Sequence, residues 1–174
     1  MKRPLQHAIY KGMTGKWGAI QFGFQPPHYY LDKQKDYSGD IATHAGSLKP
    51  GWKIREGTIF LEITSSKDKN VYDWDNKIVL ALSATDVGKI LHSFYTGEDC
   101  KIMHDPGAKK QSQGLIKKNL YIASPKGTAN GCMIRAVQSQ GGQQKNHSVP
   151  ITGDELIILK ILFESSVPGM LAWK

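Results

Sequence analysis

From Pro106 to Pro150 the chain contains no Asp or Glu, yet Lys109, Lys110, Lys117, Lys118, Lys126, Arg135 and Lys145 all fall within that window. There, Lys117, Asn119 and Tyr121 alternate with Leu120 and Ile122, so a strand would turn the apolar pair toward a core and the other three away from it. Cations along a strand neutralise phosphates, and aromatic rings among them stack on unpaired bases without reading a particular sequence. Alternation also sets Trp17, Ala19 and Gln21 against Ile20, Phe22 and Phe24. It sets Phe60 and Glu62 against Ile59, Leu61 and Ile63, and turns Lys77 away from Ile78, Leu80 and Leu82. The candidate nucleic-acid contacts are therefore Lys11, Lys16, Trp17, Phe60, Lys77, Lys117, Lys118, Asn119, Tyr121 and Arg135. Two other roles fit the same residues: a solubilising charged surface, or aromatics that close the second face of a sandwich.

Covalent chemistry has weaker support. A catalytic site would have to be assembled from His104 and Asp105 with His44, His92 or His147, and His104-Asp105-Pro106 reads as a strand end and turn. The segment Tyr10-Lys11-Gly12-Met13-Thr14-Gly15-Lys16-Trp17-Gly18-Ala19 lacks the glycine-lysine order of a phosphate-binding loop. Cys100 and Cys132 have no zinc-like spacing and are too few for a disulfide framework. No enzyme, metal or cofactor is expected.

Lys and Arg number 23 against 15 Asp and Glu, a net charge of +8 that implies an acidic partner. No apolar run reaches membrane-spanning length, and Met1-Lys2-Arg3-Pro4-Leu5 lacks the apolar core of a signal peptide, so an intracellular protein without a membrane partner is expected.

These residues must be positioned by strands expected at about Leu5–Tyr10, Trp17–Phe24, Thr58–Ser65, Asn76–Leu82, Lys101–His104, Lys117–Ala123, Cys132–Gln138 and Ser148–Ile151. A helix follows each group of four. The first runs from Ala84 to about Tyr95, capped by Ser83 with Asp86 and stopped by Gly97; the second runs from Gly153 to about Ser165, capped by Thr152 with Glu155. The second helix is apolar around most of its circumference. Leu156, Leu159, Leu162 and Phe163, with Trp173 in the tail, are therefore expected to form the core between sheets and a subunit interface. The expected architecture is α+β, with two four-stranded antiparallel sheets against a helical kernel, ββββα repeated twice. It forms one domain over 1–174, with pseudo-repeats of about 1–97 and 98–174. Residues 25–56 read as an irregular excursion, and Gln138–Asn146 as a flexible hairpin tip.

Three clusters in this order resemble the Whirly family of single-stranded DNA-binding proteins. They are Tyr72-Asp73-Trp74 with Lys77 and Ala81-Leu82-Ser83-Ala84-Thr85-Asp86-Val87-Gly88; His104-Asp105-Pro106 with Gly114, Lys117 and Lys118; and Val149-Pro150-Ile151-Thr152 with Glu155, Pro168 and Trp173. The resemblance spans about Ile9 to Trp173. It implies sheets packed like blades around helices, a homotetramer assembled through those helices, and single-stranded DNA lying across the sheets with little sequence preference. The family's Lys-Gly-Lys-Ala-Ala-Leu-Ser motif is lengthened and altered here, so Lys11 and Lys16 carry over while assembly beyond a tetramer does not follow. Organelle transit segments occur in plant members. This chain shows none, which fits a mature form or a lineage without import: a plastid or mitochondrion in a plant, otherwise cytoplasm or nucleoid. The related kinetoplastid guide-RNA-binding proteins leave RNA binding or strand annealing as an alternative, and a structural sandwich subunit is the second. Within the first cluster, Tyr72, Asp73 and Trp74 are expected to shape the chain ahead of the strand, and Lys77 to be the contact.

Overall fold

Strand alternation becomes layer packing through register. The computed structural model describes residues 6–12, 17–31, 34–37, 52–105, 116–123 and 131–173. In the first half, β1 (Gln6–Tyr10), β2 (Gly18–Gln25), β6 (Thr58–Asp68) and β8 (Ile78–Leu82) pair antiparallel in that order, and the short β7 (Val71–Tyr72) joins the far end of β6. Ile9, Ile20, Ile63 and Ile78 stand opposite one another across this sheet, and all four are buried. In the second half, β9 (Cys100–His104), β10 (Lys117–Ala123), β11 (Gly131–Gln140) and β12 (Gln143–Thr152) form a consecutive antiparallel sheet. Its inner face carries Ile102, Leu120, Ile122, Ile134, Val149 and Ile151. Burying each such side chain contributes about 1.5–3 kcal/mol.

Helix α1 (Ala84–Thr96) begins with a reciprocal cap. The Ser83 hydroxyl accepts from Asp86 N–H at 3.2 Å, and the Asp86 carboxylate accepts from Ser83 N–H at 3.0 Å. It ends at Gly97, whose φ of 74° suits a residue without a Cβ. At the start of α2 (Gly153–Met170), Glu155 accepts from Thr152 N–H at 2.8 Å. Phe163 ties the kernel together, meeting Phe22 edge-on at 5.3 Å and lying parallel to Phe94 at 6.2 Å. The order is thus two four-stranded antiparallel sheets, each followed by a helix, as the alternation predicts.

Two expectations are corrected and one is sharpened. Among its described residues, the segment 25–56 contains β3 (His28–Leu31), β4 (Gln34–Tyr37) and β5 (Trp52–Arg55), joined as a three-stranded sheet where an irregular excursion is expected. Its core pairing is non-local, between β3 and β5, so no continuous sequence period announces it. The ladder between β2 and β6 ends at Gln25 opposite Thr58, because Pro26 and Pro27 lack the N–H that a ladder needs. It resumes at His28 opposite Arg55, with two residues skipped on each strand. The hairpin expected over Gln138–Asn146 is present, with its turn drawn in to two residues. β11 and β12 remain paired to Gln140 opposite Gln143, and Gly141 and Gly142, both at positive φ, close the two-residue turn. Finally, α2 runs past Ser165 to Met170 with Pro168 inside it, and Gly57 N–H anchors the Met170 carbonyl at 2.8 Å.

Candidate nucleic-acid interface

Because β10 sits between β9 and β11, its outward side chains lie in cross-strand rows. Tyr121 pairs with Lys101 on β9 and with Arg135 on β11. The Lys101 ammonium lies 5.5 Å from the centre of the Tyr121 ring, and Lys101 and Arg135 are both exposed. The neighbouring row sets Asn119 between Met103, 65% exposed, and Val137, and the next sets Lys117 opposite Ser139. Lys117 keeps an ion pair to Asp105 at 3.3 Å while remaining exposed. The Asn119 side-chain oxygen is buried with no hydrogen-bond partner. The outer face of the second sheet thus sets two exposed cations beside one aromatic ring, with a third, Lys117, two rows further along β10.

The other predicted contacts fall elsewhere. Lys118 shares the inner face with Leu120 and Ile122, half-buried, and its ammonium donates to the Val79 carbonyl of the first sheet at 2.6 Å. Burial, then the nearby Lys145, holds its pKa below the ordinary lysine value. Lys11 is drawn to the start of α2, pairing with Glu155 at 2.7 Å. Burial alone would raise the Glu155 pKa, but hydrogen bonds from Lys11 and Thr152 hold it below the usual value. On the outer face of the first sheet, Lys77 pairs with Glu62 at 2.9 Å, and Phe60, 36% exposed, borders a shallow hollow with Gln21, Gly23 and Gln25. Trp17 is half-buried just before β2, where its carbonyl accepts from Ser66 N–H at 2.7 Å. Lys16 lies outside the described residues.

Lys101 and Met103 were missed, although the alternation of Cys100, Ile102 and His104 against Lys101 and Met103 would have placed both outward.

The histidines proposed for catalysis serve the fold. His147 bridges the sheets, with Nδ1 2.7 Å from Ser65 Oγ and Nε2 2.9 Å from the Asn76 carbonyl, while His104 Nε2 lies 3.1 Å from the Asp86 carboxylate. His92 pairs with Glu98 at the surface, and His44 lies outside the described residues. Among the described residues, no group of three or more His, Cys, Asp or Glu could hold a metal ion. Cys100 and Cys132 are free and half-buried, and burial pushes the Cys132 thiol up to about 12, which makes it a poor nucleophile.

The helix residues divide in the same way. Leu159 and Phe163 lie within the protomer's own core at 0% and 2% exposure, so a second subunit cannot reach them. Leu156 is half-buried against that core. Leu162 and Trp173 remain exposed, joined by Ile157, Ile158 and Ile161.

A family model described as Whirly transcription factor matches residues 44–162. Potato "Single-stranded DNA-binding protein WHY1, chloroplastic" is 28% identical over 120 residues, covering 68% of this chain and 43% of the relative. Arabidopsis thaliana "Single-stranded DNA-binding protein WHY2, mitochondrial" is 26% identical over 121 residues, covering 68% and 50%. The chain therefore spans about half the length of these relatives. Among solved structures, the plant transcriptional regulator PBF-2 superposes with a TM-score of 0.75 at 25% identity, covering 99% of this chain and 85% of the other. WHY1 from Arabidopsis thaliana superposes with a TM-score of 0.77 at 23% identity, covering 99% and 94%, and shows the same fold. With the family model matching more than half its residues and two sheets and two helices arranged alike, the chain belongs to the Whirly family.

Proposed function

We propose that this protein binds single-stranded DNA with little sequence preference, without catalysing a reaction, and protects or organises it in replication, recombination, repair or transcription. The observation that carries this reading is the in-register row Lys101–Tyr121–Arg135, where an aromatic ring stands between exposed cations. Cations track a phosphate backbone and a ring stacks on a splayed base of any identity. The names of the relatives support the same ligand, and their chloroplastic and mitochondrial designations support an organelle in a plant source.

The protein acts as a homotetramer assembled through α2. Ile157, Ile158, Ile161 and Leu162 form an apolar surface on a helix, and Leu162 borders an apolar cleft of about 350 Å³ with Phe22, Phe24 and Ile59. Exposed aliphatic side chains this concentrated favour a second protein surface over water.

Fluorescence anisotropy with oligothymidine, matched oligouridine and a duplex, each at two salt concentrations, tests the reading. Preference for oligothymidine is expected, with affinity falling as salt rises. Equal binding to duplex and single strands would overturn it, and a clear preference for oligouridine would assign the surface to RNA.

A further inference from the structure

We propose that the sheet formed by β3, β4 and β5 is a second contact surface for single-stranded nucleic acid, adjoining the hollow beside Phe60 on the first sheet. This rests on the nucleic-acid reading above but concerns residues that reading does not use. Register sets His28 directly opposite Arg55 and Tyr30 directly opposite Lys53. All four side chains are exposed, with Tyr30 at 36%. The alternate positions carry Tyr29 opposite Ile54 and Leu31 opposite Trp52, so one side of this ribbon is basic and aromatic and the other apolar. Neither strand contains a carboxylate; Glu56 follows Arg55, and Asp36 lies on β4.

Two features distinguish this face from a merely solubilising one. The first is the aromatic ring opposite a cation, a spacing that serves base stacking and phosphate neutralisation together. The second is continuity. β3 and β5 continue the β2–β6 ribbon in register beyond the prolines, and the Gln25 side-chain amide lies 2.8 Å from His28 Nε2 while lining the hollow beside Phe60. Alternation carries the Phe60 side of the ribbon on to Tyr29 and Ile54, so the link from that hollow to the basic row is the Gln25–His28 contact, from which Tyr30, Lys53 and Arg55 follow on one side.

The test uses the full chain, a Lys53→Gln/Arg55→Gln double variant and a Tyr30→Ser variant, with oligothymidines of about 10 and about 40 nucleotides. On the longer oligomer, the double variant should flatten the slope of log affinity against log salt by about 1.4, two phosphate contacts' worth. Tyr30→Ser should weaken binding roughly tenfold, the loss of one stacked base. Both losses should be smaller on the short oligomer. Wild-type binding with unchanged slope and affinity in both variants overturns this inference and leaves the previous one standing, whereas no wild-type binding overturns both. If Tyr30→Ser fails to fold, the exposed charge variant decides alone. Loss of binding to phosphatidylserine vesicles with unchanged oligothymidine binding would reassign the face to a membrane and overturn the proposal.

Discussion

His147 on β12 donates from Nε2 to the main-chain carbonyl of Asn76, 2.9 Å away in the first sheet. A carbonyl only accepts, so Nε2 carries the proton; in the neutral ring Nδ1 then accepts from the Ser65 hydroxyl at 2.7 Å. Lys145 donates to the same Asn76 carbonyl at 3.0 Å, and Lys118 reaches Val79 nearby. Asn76 is held for this role by Asp73, whose carbonyl accepts from Asn76 N–H at 3.0 Å and whose carboxylate accepts from the Asn76 side chain at 2.7 Å. The family signature Tyr72-Asp73-Trp74 thus leads into the turn on which the sheets are clamped.

Burial lowers the His147 pKa below its ordinary value, with Lys145 adding to the effect, although its bond to Asn76 opposes it. The unfolded chain therefore binds the proton more readily, and stability should be fully present above about pH 6.5 and fall as pH drops through the folded value. Urea titrations at pH 7.5 and 5.5 should show this decline in the wild type and a smaller one in His147→Gln. Equal declines in both would place the sensitivity elsewhere.

Lys118 and Lys117 are neighbours in sequence with opposite consequences. Lys118→Met should destabilise the fold by about 1–2 kcal/mol, because Val79 loses a charge-assisted bond, and should leave the salt slope of DNA binding nearly unchanged. Lys117→Gln should leave stability within about 0.5 kcal/mol and flatten that slope by about 0.7. Denaturation and anisotropy on both variants check the contrast, and the reverse pattern would refute it.

On α2, Leu159→Ala should cost about 2–5 kcal/mol through a cavity in the protomer's core. Ile161→Lys lies on the exposed face and should instead lower the assembly state seen by sedimentation, leaving far-ultraviolet circular dichroism intact. A tetramer that survives Ile161→Lys together with Ile157→Lys would remove α2 from the interface.

Gly18 pairs with Ser65 at the end of the β2–β6 ladder, and a Cβ there would sit 1.7 Å from the Thr64 carbonyl oxygen. The obstacle is backbone, which cannot swing aside as a side chain could. Gly18→Ala should therefore lose about 3 kcal/mol of stability, read as a lower urea midpoint at unchanged m-value.

Local pattern alone settles eight strands of the two main sheets and the starts of both helices. The alternation of Ile59, Leu61 and Ile63 with Phe60 and Glu62 commits those residues to opposite faces, and the Ser83/Asp86 and Thr152/Glu155 pairs mark helix starts, because each effect acts within a few residues. Strict parity sets Lys118 with Leu120 and Ile122 and Lys101 outward, against the expectation that Lys118 is a contact, so the contact face is more legible in the sequence than a count of basic residues suggests. Alternation could not say what lies opposite an inner face. That Lys118 finds Val79, that Lys11 finds Glu155, and that Leu159 and Phe163 are covered while Ile157 and Ile161 are not, depends on partners distant in sequence, reached by flexible side chains or set by helix rotation. The sheet of β3, β4 and β5 belongs to the same class, since its ladder joins His28–Leu31 to Trp52–Arg55 and its register is inherited from β2 and β6. Periodicity is a property of one segment, whereas cover, clamp and register are properties of two, and only the folded chain brings the second segment into place.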